Sequence, residues 1–418
     1  MSTVYSLTST HPLSSIAASG SLPPALAPAE RPALFPSFFL GGFECSSHIS
    51  LNGQRQDYLA ITQHDRLCRE DYALVRAVGI RAVREGLRWH LIDRCGRYDF
   101  SSAAAQVEAG QEAGILQIWD LFHYGYPDDL DPFDQAFVPR FAELAYRFAL
   151  WLRAQVDGPR FYVPLNEPSF FAWAGGDSGW FAPFLSGRGW ELKLALVRAG
   201  LAATDALRAA DPSARLIAVD PIIHAHAPLD APEQAEAAAR QTSRQYEVWD
   251  MLAGQLEPQL GGGPGYLDIV GVNYYLHSQY EYGNDRRLEL DDPRRKPFRE
   301  MLQDVYRRYG RPIVITETAC CVELRPIWLR YIVDECLAAL QAGVDLQGIC
   351  LYPIIDFPGW DSGKMIEFGL WDLVPDGDAL RRVVYEPYLE ELRRSQARLE
   401  TSGLLPVWTG PNVAAEPN

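Results

Sequence analysis

Eight short runs of β-branched and other apolar residues, separated by longer stretches of helical periodicity, constrain the fold of this chain more than any other feature of its sequence. The runs are 38–43, 80–84, 115–121, 160–165, 215–219, 268–273, 312–316 and 348–355. Helical patterns fill 65–78, 137–153, 192–210, 232–256, 297–309, 325–342 and 378–397. Gly79, Gly114, Gly310 and Gly343 each fall between a helical stretch and the next run, where a residue that tolerates the left-handed conformation closes a helix. Strands alternating with helices require a parallel sheet covered by helices.

Two architectures meet that requirement. A doubly wound sheet around a nucleotide carries a glycine-rich phosphate loop after an early strand, and neither G-x-G-x-x-G nor G-x-x-x-x-G-K-[ST] occurs here. No cofactor is expected. A single (β/α)8 TIM barrel, of the α/β class, needs no such loop and fits a spacing of about 48 residues per unit. The expected organisation is a flexible or surface-draped tail over 1–36, rich in Ser, Ala and Pro, then one barrel over 37–400 and a C-terminal tail over 401–418.

Charge and cysteine usage narrow the function. The 38 basic and 54 acidic residues leave a formal charge of −16. The densest basic stretches, Arg286-Arg287 and Arg294-Arg295-Lys296, are interleaved with Asp285, Glu289, Asp291 and Asp292. They read as a solvated loop, so nucleic acid is not an expected partner. No apolar run approaches the roughly 18 residues that span a bilayer. The N-terminus has neither a basic leader nor a compact apolar segment, so a cytoplasmic protein without membrane contact is expected. The seven cysteines contain no C-x-x-C and are odd in number, which points to buried thiols rather than a disulfide framework or zinc site. His224-Ala225-His226 is an H-x-H pair, but it follows the fifth run and lacks the further ligands of a metallohydrolase; no metal is expected.

In a barrel of this type, chemistry sits where strands end. The polar residues at those points are Arg84, His123, Asn166-Glu167, Asp220, His224, Asn273 with Tyr275, Glu317 and Asp356. Glu167 follows the fourth run in Leu165-Asn166-Glu167-Pro168, and Glu317 ends the seventh in Ile315-Thr316-Glu317-Thr318. Cleavage of a glycosidic bond needs such a pair, one carboxyl to protonate the departing oxygen and one carboxylate across the sugar ring. Phe170, Phe171, Trp173, Trp180 and Trp360 lie in segments beyond these strands, and some are expected to line a sugar cleft.

At these residues the chain resembles glycoside hydrolase family 1, the β-glucosidase family of the barrel clan with retaining chemistry. The likeness runs from about 38 to 373. It is carried by Phe39-Leu40-Gly41-Gly42, by Arg84 to Trp89, by Leu121-Phe122-His123-Tyr124 with Pro127 and Leu130, by Leu165-Asn166-Glu167-Pro168, by Asn273-Tyr274-Tyr275, by Ile315-Thr316-Glu317 and by Phe368-Gly369-Leu370. The resemblance implies Glu167 as acid/base and Glu317 as nucleophile of a double displacement. It implies that Arg84 and Tyr275 orient Glu317, that Asn166 and His123 hold sugar hydroxyls, and that Asn273, His48, Tyr352 and Trp360 complete the substrate site. The implied ligand is a small glycoside or oligosaccharide. A transglycosylase using a sugar acceptor, or a non-catalytic sugar-binding barrel, are the alternatives.

The chain departs from the family at the sugar-recognition end. His48 stands where the family has Gln, Tyr124 where it has Trp, and Gly359 where it has the glutamate that holds the outer hydroxyls. Glu44, Asp361 and Glu367 are candidates to supply that carboxylate. After the eighth strand the clan carries a cis peptide, and here the bond is Tyr352–Pro353, where proline lowers the preference for trans to about 0.5–1 kcal/mol. A cis bond is expected there.

Overall fold

The structure is a computed structural model describing residues 31–360 and 362–410. Among them, eight parallel strands close a barrel: β1 Phe39–Gly42, β2 Ala82–Gly86, β3 Leu116–Asp120, β4 Phe161–Val163, β5 Arg215–Pro221, β6 Ile269–Asn273, β7 Ile313–Thr318 and β8 Leu346–Leu351. Each neighbours the next in sequence, and β8 returns to β1 with Leu40 opposite Cys350. This is the expected single (β/α)8 barrel. Helices His64–Ala77, Ser101–Ala113, Phe137–Gln155, Gly189–Ala210, Glu247–Leu252, Phe298–Tyr309, Leu324–Gln341 and Glu386–Thr401, here α1 to α8, follow the strands in turn.

Every strand gives at least one side chain to the barrel's interior: Leu40, Ala82, Ile118, Phe161, Ile217, Ile269, Val314 and Cys350 share one buried cluster. The inside is therefore packed, and only the mouth has room for chemistry. Phe35 joins this cluster, its ring centroid 4.9 Å from that of Phe161. Residues 31–36, read from the sequence as tail, thus pack against the barrel. Arg31 donates to the Val344 carbonyl at 2.9 Å, and Pro32 bridges to Val407. Residues 1–30 and 411–418 of the two expected tails lie outside the described residues.

The structure differs from the expected elements in two stretches. The run 378–397 is not one helix: Trp371–Asp376 and Ala379–Val384 form an antiparallel hairpin, and α8 begins only at Glu386. Gly377, at φ 61°, makes the turn possible. The stretch 232–256 is broken into Ala235–Ser243 and α5 by a 3-10 turn at Arg244–Tyr246. Of the cysteines, Cys45, Cys68, Cys320, Cys336 and Cys350 are buried as expected, whereas Cys95 is exposed.

Candidate active site

Strand alternation sends Arg84 and its neighbour Glu85 to opposite faces of β2. Glu85 points outward, where it accepts from Tyr72 Oη at 2.5 Å and faces His64 Nε2 at 2.9 Å. Arg84 points into the mouth and is 1% exposed. Its guanidinium binds Asp120 through Nε at 2.9 Å and Nη2 at 2.6 Å, Glu317 Oε1 through Nη1 at 2.7 Å, and Asn166 Oδ1 through Nη2 at 2.6 Å. One fixed fork of donors therefore ties the ends of β2, β3, β4 and β7 together.

Glu317 reaches this fork because β7 is irregular. With Val314 inside the barrel, strict alternation would turn Glu317 outward. The register of β7 slips against β6 between Ile315 and Glu317, and against β8 between Ile315 and Thr318. Such a slip re-aims a side chain. Thr318 faces outward instead and accepts from Trp328 Nε1 at 2.8 Å. Glu317 Oε2 receives the Tyr275 hydroxyl at 2.7 Å. A guanidinium and a phenol thus hold Glu317, one on each oxygen.

Glu167 sits in a different setting. It adopts the left-handed conformation, φ 44° and ψ 61°, which costs a residue with a Cβ about 1 kcal/mol or more. Pro168 then starts a short helix, Pro168–Phe171, whose first turn is held by Asp220 at the end of β5: Asp220 accepts from Ser169 N at 3.0 Å and Oγ at 2.5 Å. Burial pushes the Asp220 carboxyl up to about 7. Glu167 Oε2 accepts from Tyr124 Oη at 2.7 Å and Oε1 from Asn273 Nδ2 at 2.8 Å. Thr316 donates to Asn273 Oδ1 at 2.6 Å, which fixes the amide with its NH2 toward Glu167. No basic side chain lies within ion-pair distance of Glu167 among the described residues. Burial, followed by the charge of Glu317, raises its pKa to about 8, against the two hydrogen bonds that oppose the shift. The two glutamates thus sit in unequal settings, Glu317 beside a cation and Glu167 protonated by its raised pKa.

The remaining expected residues fall around this pair. Because Asn166 Oδ1 is taken by Arg84, its NH2 faces His123 Nε2 at 3.0 Å and the Tyr124 hydroxyl at 3.1 Å. His123 Nε2 is then an acceptor, which leaves the proton on Nδ1, 3.0 Å from Asp120 Oδ2. The Tyr352 ring lies parallel to His123 at 5.9 Å, with Arg84 over its face. Gly42 makes space for that ring: a Cβ there would meet Tyr352 Cδ2 at 2.1 Å. The Tyr352–Pro353 bond is cis, as expected.

His48 is 1% exposed and stacks on Phe181 at 3.9 Å, with Trp360 edge-on at 5.5 Å. Neither ring nitrogen has a hydrogen-bond partner among the described residues, and burial lowers its pKa to about 3. It is neutral. Trp360 also contacts Phe170, Trp180 and Phe181 at 5.4–5.8 Å and meets Tyr124 edge-on at 6.0 Å. Trp173 joins this group through Phe170 and Trp180, whereas Phe171 packs between Phe122 and Tyr126 in the core. Asp356 accepts from Gly369 N at 2.8 Å, and the His224 and His226 rings, 4.6 Å apart, join none of these hydrogen bonds.

Sequence reasoning missed Asp120, the carboxylate that anchors Arg84. The signal was available, since Asp120 is the last polar residue of the third run. Tyr124 was noted only as a departure, and its contact with Glu167 needed coordinates. Cys45, Asp120 and His123 form a cluster of metal-ligating type among the described residues. The Arg84 guanidinium already neutralises Asp120, which disfavours a further cation there. The basic loop is internally paired: Arg286 and Arg294 bind Glu281, Arg287 binds Glu289, and Lys296 binds Asp304. Among the described residues no helix is long and apolar enough to cross a membrane.

No family model matches the chain. A lactase-like protein from Mus musculus is 29% identical over 126 residues, which cover 25% of this chain and 22% of that protein. The match thus spans about a fifth of that relative's length. Among solved structures, the AHE enzyme from Alicyclobacillus herbarius has a TM-score of 0.71 at 18% identity, covering 89% of this chain and 100% of that one. The β-glucosidase from Thermotoga maritima in complex with deoxynojirimycin has a TM-score of 0.68 at 18% identity, covering 87% and 99%. Likeness at these identities speaks to the fold, and the chain shares the (β/α)8 barrel of the Thermotoga maritima β-glucosidase.

Proposed function

We propose that this protein is a retaining β-glycosidase that hydrolyses a small β-glycoside by double displacement. The observation that carries the reading is the unequal setting of two glutamates at the same barrel mouth. Glu317 has a cation and a phenol on its oxygens, while Glu167 has no cation among the described residues and a raised pKa. A carboxyl that keeps its proton suits the acid, and one held by a cation suits the nucleophile.

In the first step Glu317 attacks the anomeric carbon while Glu167 gives its proton to the departing oxygen. A glycosyl ester on Glu317 results, and its formation removes the charge that raised the Glu167 pKa. Glu167, now ionised, accepts a proton from the incoming water, which attacks the anomeric carbon and frees Glu317. Arg84 and Tyr275 stabilise Glu317 as its charge returns. That the Thermotoga maritima β-glucosidase, which shares the fold, was solved in complex with deoxynojirimycin supports a small ligand. The intact ion-pair network argues against the non-catalytic alternative.

The test is a panel of 4-nitrophenyl β-glycosides in gluco, galacto, manno, fuco, xylo and glucuronide forms, run with the wild type and Glu317→Gln. Turnover of at least one by the wild type and its loss in the variant are expected; full activity in Glu317→Gln would overturn the assignment.

A further inference from the structure

Among the acids at or beyond the strand ends, Glu367 is exposed, Asp361 lies outside the described residues, and Glu44 is bound by the Ser46 N–H at 2.9 Å. Asp220 instead grips the segment that carries Glu167. It stands one residue from the end of β5 and is fully buried. Both of its oxygens are used by one residue: Oδ1 accepts from Ser169 N at 3.0 Å and Oδ2 from Ser169 Oγ at 2.5 Å. No arginine or lysine lies within ion-pair distance of Asp220 among the described residues; Lys193, whose charge acts on it, pairs with Glu247.

The start of the helix Pro168–Phe171 explains the contact. The first N–H groups of a helix have no partner within it, and the residue before the first turn ordinarily supplies one, its side chain accepting from the second or third N–H. Here that residue is Glu167, and its side chain makes no such bond. It is turned into the mouth instead, where Tyr124 and Asn273 hold its two oxygens at 2.7 and 2.8 Å. Pro168, at the first helical position, has no N–H to satisfy. Ser169 N is therefore the first donor of the helix, and because Ser169 is buried, leaving that donor unpaired would be costly. Asp220 reaches it from another strand and takes the place of the cap that Glu167 does not provide.

The same strand holds the other side of Glu167. Glu167 N donates to the Val219 carbonyl at 3.1 Å, and Asn166 bridges to Val219. Residues 166–169 are thus fixed to β5 at both ends, with the left-handed Glu167 between them. A glutamate at φ 44° persists only where the surrounding structure imposes it. We propose that Asp220 is a positioning residue for the acid/base: by capping Ser169 in place of Glu167, it frees the Glu167 side chain to face the mouth and holds the Glu167 backbone in its left-handed turn. The proposal rests on the glycosidase reading and goes beyond it, because it assigns the placement of the acid/base to a residue outside the pair of glutamates.

The experiment measures kcat/KM at pH 6, where Glu167 holds its proton, on two glycosides of one sugar that the wild type turns over. One carries a 2,4-dinitrophenyl leaving group, which departs without a proton, and the other a phenyl group, which needs one. A reacting group misplaced by about 1 Å costs on the order of 100-fold. Asp220→Ala should therefore lose about 100-fold on the phenyl glycoside and less than about 3-fold on the dinitrophenyl one. Ser169→Ala, which keeps the N–H, should shift the same ratio by about 10-fold. The two changes together should cost no more than Asp220→Ala alone, because they remove one shared contact. Asp220→Asn keeps an acceptor for Ser169 N and should stay within about 3-fold of the wild type on both substrates.

A general loss of structure would lower both substrates alike, so the ratio between them is the readout. A constant ratio in Asp220→Ala, through unchanged kinetics or an equal fall on both, would overturn the proposal and leave the glycosidase reading intact. An Asp220→Asn enzyme as impaired as Asp220→Ala would overturn it as well. If Asp220→Ala does not fold, Ser169→Ala decides the matter by the same ratio. A wild type inactive on every activated glycoside would overturn the glycosidase reading and this proposal together.

Discussion

The Tyr124 hydroxyl donates to Glu167 Oε2 at 2.7 Å, so the candidate acid/base is held by a phenol. That hydrogen bond favours the ionised form and works against burial, which favours the protonated one. Tyr124→Phe removes the donor and leaves the ring. The Glu167 pKa should then rise further, moving the basic limb of the kcat/KM profile up by about 1 pH unit. A limb that stays in place would separate Tyr124 from the acid.

In the wild type the same limb follows from the protonated state of Glu167. A general acid works only while it holds its proton, so kcat/KM on a glycoside with a poor leaving group should fall tenfold per pH unit above about 8. Glu167→Ala should lose this limb together with most activity. Added azide should restore turnover of an activated glycoside and leave a β-glycosyl azide, the product expected of an enzyme lacking its acid/base.

Arg84 carries two buried carboxylates, Asp120 and Glu317, and is itself buried. Arg84→Met leaves both charges uncompensated and should destabilise the fold by about 3–5 kcal/mol, measured by urea unfolding. Adding Asp120→Asn should recover part of that loss but none of the activity, because Glu317 remains without its cation. Full recovery of turnover in the double variant would show that Arg84 acts only in folding.

A second buried network lies behind β2. His64 stacks on Phe43 at 3.6 Å, with Nδ1 2.7 Å from Asp71 and Nε2 2.9 Å from Glu85. Burial alone would lower its pKa, but the Glu85 and Asp71 charges and hydrogen bonds outweigh it and raise the value to about 9. A raised folded-state pKa gives stability that is complete below the unfolded value near 6.5 and disappears as pH climbs through about 9. The wild type should therefore exceed His64→Gln by about 3 kcal/mol at pH 6 and lose most of that margin by pH 10. A constant difference in urea unfolding across this range would refute the charged histidine.

The barrel was legible because its eight strands are apolar runs punctuated by glycine, and each closes into the sheet within a few residues of its expected place. The second strand of the hairpin, Ala379–Val384, was misread as the start of the 378–397 helix because Leu380, Arg381 and Arg382 suit either state; the Pro375-Asp376-Gly377 turn signal was the better guide. Arg84, Asn166, Asn273, Tyr275 and the two glutamates could be named from their places at strand ends. Their pairing could not, because it depends on a slip of register at Ile315 that moves Glu317 to the inner face. Nor could the neutrality of His48, which comes from the rings of Phe181 and Trp360 brought together from distant segments.

The central claim is that Glu317 forms a covalent bond to the sugar. The direct measurement is intact-mass and peptide mapping after incubation with activated 2-deoxy-2-fluoro β-glycosides of the neutral sugars the enzyme turns over. The account predicts one added sugar per chain, on the peptide carrying Glu317, with no label in Glu317→Gln. Label on any other residue, or none from a glycoside whose parent is hydrolysed, would contradict it.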